Sequence, residues 1–192
     1  MSPTDTRTRI REAATALFRR EGYGATGLKR IAADSGAPFG SIYHFFPGGK
    51  QELAEDAVRT SGPEYMRMVI GLLDGVPEPL ESLENAFEAA ARDLAASDYA
   101  DACPIATLAL EVAGSNETLR RATAEVFDHW VESGAGWFAR WTDDRDTALW
   151  LSRSMIMLLE GAFVLARAGR DPQPLHAAGR SMVALARGAL RR

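Results

Sequence analysis

The chain has 192 residues, 46 % of them hydrophobic and 25 % charged, with a net charge of −4, a composition that excludes a disordered or low-complexity polypeptide. Its longest apolar run, Met155 to Leu159, falls far short of the roughly 20 residues of a membrane helix, and no charged-then-apolar leader opens it, so a cytoplasmic protein with no membrane partner is expected. The single cysteine, Cys103, excludes an internal disulfide, and the histidines His44, His129 and His176 lack metal-ligand spacing, so neither a metal nor another cofactor is expected.

Charge is unevenly spread. Residues 1–50 carry Arg7, Arg9, Arg11, Arg19, Arg20, Lys29, Arg30 and Lys50 against Asp5, Glu12, Glu21 and Asp34, a net +4, which leaves −8 on the remainder. A small basic head on an acidic body suits local phosphate binding by a chain that stays soluble.

Apolar residues recur at three and four throughout, and runs of β-branched residues with period two are missing, so the chain reads as all-α, with about nine helices. The first helix starts at Thr4 or Asp5, turns Ile10, Ala13, Ala14, Leu17 and Phe18 inward, and stops at Gly22. Thr26 is expected to cap a short helix with Leu28, Ile31 and Ala32 inward, broken by Ser35-Gly36. A third short helix covers about Ala37–His44 and ends at Pro47-Gly48-Gly49. The fourth begins near Lys50, and Ser61-Gly62-Pro63 predicts a kink or a break before its stripe resumes at Met66, Val69, Ile70 and Leu73. Pro77 and Pro79 open the fifth, and shorter and longer helices follow at about Pro104–Ala113, Glu117–Trp141, 146–168 and 172–190. The expected division is a head at 1–50, with the linker helix starting near 50, and a body at 51–192 for ligand binding and dimerisation.

Two short helices meeting at a glycine-bearing tight turn give the segment Thr26 to Phe46 helix-turn-helix form. Packing of Leu28, Ile31 and Ile42 against Leu17 and Phe18 leaves the outer face of the third helix for a DNA major groove.

The pattern formed by Ile31, Ala32, Gly36, Gly40, Ser41, Ile42, Tyr43, Phe46 and Lys50 resembles the DNA-binding domain of TetR/AcrR-type transcriptional regulators, over residues 5–58. Phe46-Pro47-Gly48-Gly49-Lys50, with Cys103-Pro104-Ile105-Ala106 and Leu110-Glu111, resembles the multidrug- and flavonoid-responsive, LmrA/YxaF-like subgroup, more weakly, to about residue 140. The resemblance implies phosphate contacts from the amides around Thr26 and Gly27, from Tyr43 and from Lys50, and base contacts from Pro38, Phe39, Gly40, Ser41 and His44. Lys29 and Arg30 are either DNA contacts or a solvated helix face, and Tyr43, His44 and Phe46 are each either DNA-facing or packed inside. Position 39 departs from the family pattern, which has lysine or another polar residue there. A phenyl ring cannot donate to guanine but can press on a thymine methyl.

In the body, Ala177, Ser181, Ala184 and Gly188, with Leu185 beside them, form a stripe of low bulk on the last helix. The preceding helix is apolar on several sides, through Met155, Ile156, Leu158, Leu159, Ala162, Phe163, Leu165 and Ala166. Such a helix is either central or contacts a second subunit; the resemblance implies that these two helices make a homodimer. The dimer interface is expected at Phe163, Ala177, Ser181, Ala184, Leu185 and Gly188. Aromatic bulk between 127 and 150, with methionines nearby, suits a flat apolar ligand, and the expected pocket residues are Cys103, Phe127, Trp130, Trp137, Met155 and Leu159. Gly134-Ala135-Gly136 marks a weak spot or a close-packing point, and Glu160 needs a donor: an arginine, the dimer seam or a ligand.

These readings together predict a homodimeric repressor that binds a palindromic double-stranded operator and is released by a small hydrophobic effector. An activator or a regulator without a ligand has the same sequence features. A helical-bundle enzyme would have to use Cys103, His129, Glu111 and Glu160, which show no catalytic spacing, so the chain is not expected to be an enzyme.

Overall fold

A computed structural model describes residues 3–101 and 103–190. Among them are nine helices: α1 (Pro3–Glu21), α2 (Leu28–Ser35), α3 (Phe39–Phe45), α4 (Gly49–Leu73), α5 (Pro79–Ala96), α6 (Ala106–Val112), α7 (Glu117–Phe138), α8 (Arg145–Gly169) and α9 (Gln173–Ala189). The all-α expectation holds, and each helix falls where its periodicity placed it. The side chain of Thr4, one of the two expected caps of α1, lies outside the described residues.

The helices group into two compact units. Residues up to Pro63 form the first together with Cys103–Val126, and Glu64–Ala102 with Phe127–Arg192 form the second. This grouping differs from the expected cut at residue 50, because α6 and the first half of α7 pack with the head.

In the first unit Ile10, Ala14, Leu17 and Phe18 of α1 are buried, as are Ile31 of α2, Ile42 of α3 and Leu53, Ala57 and Val58 of α4, and α1 packs on α2 and α3. Gly22 stops α1 with φ of +87°, a left-handed conformation that other residues adopt only at a cost. Thr26 does not cap α2. Gly27 holds that position in extended backbone, and the buried Thr26 hydroxyl turns back to donate to the Gly22 carbonyl at 2.7 Å. Gly36 ends α2 at φ of +62°, with two amides closing back on Ala32 and Ala33. Arg7 reaches Asp56 at 2.6 Å and so ties α1 to α4.

Of the kink or break expected at Ser61-Gly62-Pro63, the break is absent: α4 runs through Pro63 as one helix. Gly62 is buried against Val126 of α7, where a Cβ would have no room. The helix continues there despite proline's missing donor.

The second unit has one apolar core, built from Leu73, Leu83, Phe87, Leu94, Phe138, Leu151, Met155, Leu175 and Met182 among others. Helix α9 lies close on α5, with Gly179 against the Phe87 side chain. Gly134 is a close-packing point: it faces Ser152 of α8, whose hydroxyl donates to the Val131 carbonyl at 2.8 Å. The Asp144 carboxylate caps α8, accepting from the amides of Asp146 and Thr147. By length and composition alone α8 could cross a membrane, which its five-residue apolar run did not suggest. Its Leu151, Met155, Ala162, Phe163 and Ala166 are buried in the core of the unit, and a core helix passes the same test.

Candidate nucleic-acid interface

Helices α2 and α3 are short because glycine or proline punctuates both ends of each. Gly27 and Gly36 bound α2, and Pro38 and the Pro47-Gly48-Gly49 turn bound α3. One side of α3 anchors it through Ile42, fully buried like Phe46 at its end. The opposite side is solvent-facing. Pro38, Phe39, Gly40, Tyr43 and His44 are exposed there, and Ser41 is half-buried. Phe39 and Tyr43 are 43 % and 49 % exposed, and their rings meet edge to face at 5.8 Å. His44 stacks edge-on against Phe45 at 4.8 Å. Tyr43 and His44 therefore stand outside the core, and Phe46 inside it.

Helix α2 packs on α3, and its start is also open to solvent. Gly27 and Lys29 are exposed, while Thr26 is buried, so Thr26 offers backbone only. The first amides of α2 have no partner within the helix and carry the positive end of its dipole, as a phosphate oxygen requires. Arg30 is engaged internally, with Asp34 at 2.9 Å.

Lys50 sits at the start of α4, half-buried. Its ammonium lies 4.4 Å over the Tyr23 ring and 3.5 Å from the Gly24 carbonyl. Partial burial lowers the affinity of this amine for its proton, and the nearby Glu111 carboxylate opposes that shift.

Glu111 has a role that sequence reasoning left open. It reaches from α6 to the α1–α2 turn, where its two carboxylate oxygens accept from the amides of Tyr23 at 3.0 Å and Gly24 at 2.7 Å. The absence of a side chain at Gly22 makes room for it. Only the pairing of two distant loop amides with this carboxylate reveals the link, and no local pattern carried it.

The expected pocket residues are distributed over both units. Cys103 is buried in the first unit, with its Sγ 3.4 Å from the Ala106 amide, and the other five belong to the second. There Phe127, Trp130 and Tyr65 make an aromatic group, with Trp130 at 5.5 Å from Phe127 and 5.3 Å from Tyr65. Tyr65 was not singled out in the sequence because it lies on α4, far from the aromatic stretch. Trp137 and Met155 are buried in the core, and Leu159 packs against it. The Trp137 indole donates to Asp74 at 3.1 Å, and Arg140 covers its ring.

On α9 the stripe Ala177, Ser181, Ala184 and Gly188 is exposed, Leu185 is half-buried, and the Ser181 hydroxyl is satisfied by the Ala177 carbonyl at 3.0 Å. Phe163, expected at the interface, is instead buried in the core of its own unit and is not available to a second chain. It shares α8 with a separate outer face of Trp150, Met157, Gly161, Val164, Leu165 and Ala168, all exposed. The heptad-like repeat of that face was hidden because α8 is apolar on several sides.

An all-α chain whose basic head presents the second helix of a helix-turn-helix to solvent has the build of a DNA-binding regulator. Residues 10–57 match the bacterial regulatory proteins of the tetR family, and residues 79–181 match the C-terminal domain of LmrA/YxaF-like transcriptional regulators. The chain is 33 % identical to the HTH-type transcriptional regulator YxaF of Bacillus subtilis, over 89 % of its length and 90 % of that protein. It is 31 % identical to the HTH-type transcriptional regulator LmrA of the same organism, over 91 % and 93 %. A TetR transcriptional regulator from Chloroflexus aurantiacus has the same fold, with a TM-score of 0.79 and 26 % identity over 98 % of both chains. The regulatory protein TetR from Rhodobacter sphaeroides superposes with a TM-score of 0.81 at 23 % identity, over 93 % of this chain and 97 % of that one. The chain belongs to the TetR family of transcriptional regulators, with an LmrA/YxaF-like C-terminal domain. It is a DNA-binding regulator and not an enzyme.

Proposed function

We propose that this regulator is a cytoplasmic repressor that binds a palindromic operator as a homodimer and leaves it when a small hydrophobic effector binds the body. The single observation that carries the reading is the exposed face of α3, with Phe39, Tyr43 and His44 presented to solvent and Ile42 anchoring the helix beneath them. Amides at Gly27 and Leu28, the Tyr43 hydroxyl and Lys50 hold phosphates and set the register. Pro38, Phe39, Gly40, Ser41 and His44 meet base edges, and Lys29 adds long-range attraction.

Dimerisation uses the outer face of α8, through Met157, Gly161, Val164, Leu165 and Ala168, with the small-residue stripe of α9. Their exposure in the single chain supports this, since apolar side chains at 64 % and 65 % exposure, Leu165 and Met157, gain by being covered. The effector site is the aromatic group of Tyr65, Phe127 and Trp130, whose flat polarisable walls suit a flat apolar ligand. Release passes through α6, because Glu111 fastens α6 to the turn that precedes the helix-turn-helix. A ligand that lowers operator affinity a hundredfold must favour the DNA-incompetent state by about 2.7 kcal/mol.

Transcript levels from the promoter next to the gene, with the gene deleted and then restored, test the reading. A repressor predicts a rise on deletion and a fall on restoration. A fall on deletion establishes an activator instead.

A further inference from the structure

The base-facing turn of α3 has an unusual chemistry. Its first positions are Pro38, Phe39 and Gly40, none of which has a polar side-chain atom, and Ser41 beside them is half-buried. The most prominent side chain is the Phe39 ring, which remains 43 % exposed and is held edge to face against Tyr43 at 5.8 Å. Among the described residues Phe39 keeps much of its ring open to solvent, and a ring packed on its neighbour loses little freedom on meeting a partner. In the major groove every base pair offers hydrogen-bonding groups, and the thymine C5-methyl is the one apolar feature.

We propose that Phe39 is a specificity-determining residue that reads the C5-methyl group of one thymine in each half-site, with Tyr43 bracing its ring. The inference rests on the DNA-binding reading above. It assigns the base preference of this head to an apolar contact, where the family pattern has a polar side chain at the same position. Tyr43 serves twice: its ring packs against that of Phe39, and its hydroxyl reaches the neighbouring phosphate.

The test removes only the methyl group. Duplexes are selected from a random pool with the purified full-length protein, and each thymine of the enriched sequence is then replaced in turn by deoxyuridine, which pairs as thymine does. Wild-type protein is expected to lose about fourfold in affinity at one position per half-site and about fifteenfold when both half-sites are substituted, the worth of one buried methyl and of two. Phe39→Ala, a change at an exposed position, is expected to bind the thymine and deoxyuridine duplexes alike. An enriched sequence in which no deoxyuridine costs affinity overturns the proposal and leaves DNA binding intact. A penalty that persists unchanged in Phe39→Ala also overturns it, since another residue then touches the methyl. If no sequence is enriched, the DNA-binding reading and this inference fall together.

Discussion

Replacing Glu111 by alanine is the most informative change outside the DNA-facing surface. It deletes the acceptor of two hydrogen bonds, from the Tyr23 amide at 3.0 Å and the Gly24 amide at 2.7 Å. Bonds to a charged group are worth about 1.5–3 kcal/mol each when buried, but these amides are reachable by water, so about 1–2 kcal/mol for the pair is expected. For a chain of this size that corresponds to a fall in Tm of about 2–8 °C. The same carboxylate fixes the turn before α2 and stands near Lys50, so operator affinity falls as well. Thermal unfolding by circular dichroism and anisotropy on operator DNA read the two effects separately. Glu111→Gln, which keeps the shape without the charge, is expected to fall between wild type and alanine in both. A Tm within about 1 °C of wild type would refute the strength assigned to the bonds. A lower Tm with unchanged operator affinity would refute the link between α6 and the head.

Gly22→Ala carries two penalties, the left-handed φ of +87° and a clash with the Glu111 carboxylate. Only the clash vanishes when Glu111 is also alanine, so a double-mutant cycle in urea unfolding is expected to show coupling of at least about 0.5 kcal/mol. Additive effects would mean that the carboxylate moves aside freely. Lys50→Ala should weaken binding to all DNA sequences alike and reduce the salt slope by about one per head; a changed base preference at unchanged affinity would contradict the phosphate role. Leu165→Glu alters a side chain that is 64 % exposed in the single chain, so folding changes by no more than about 0.5 kcal/mol. Sedimentation velocity is expected to show a monomer, and a persisting dimer would place the interface away from α8.

The fold was legible because its punctuation is local. Gly22, Gly36 and the Pro47-Gly48-Gly49 turn ended helices where the sequence said they would, and burial of Ile10, Leu17, Ile31 and Ile42 followed the stripes. Readings that depended on tertiary contact were less secure. Ser61-Gly62-Pro63 reads as a kink or a break in isolation, yet α4 is continuous there, with Gly62 fitted closely on Val126. Thr26 has the chemistry of a cap, but its hydroxyl found the Gly22 carbonyl instead. Phe163 sits on a helix apolar on several sides, where periodicity does not separate the face turned to its own core from the face turned outward. The Glu111 clamp spans 87 residues between partners, a distance over which sequence pattern is silent.

Reading of a specific DNA site by a dimer of this chain, as proposed, is best examined by a fluorescence-anisotropy titration on the DNA upstream of its own gene, repeated at several salt concentrations. Saturation at two chains per duplex, resistance to unrelated competitor DNA, and an affinity whose logarithm falls linearly with the logarithm of salt are expected. Binding by single chains, equal on operator and random duplexes at every salt concentration, would contradict the proposal.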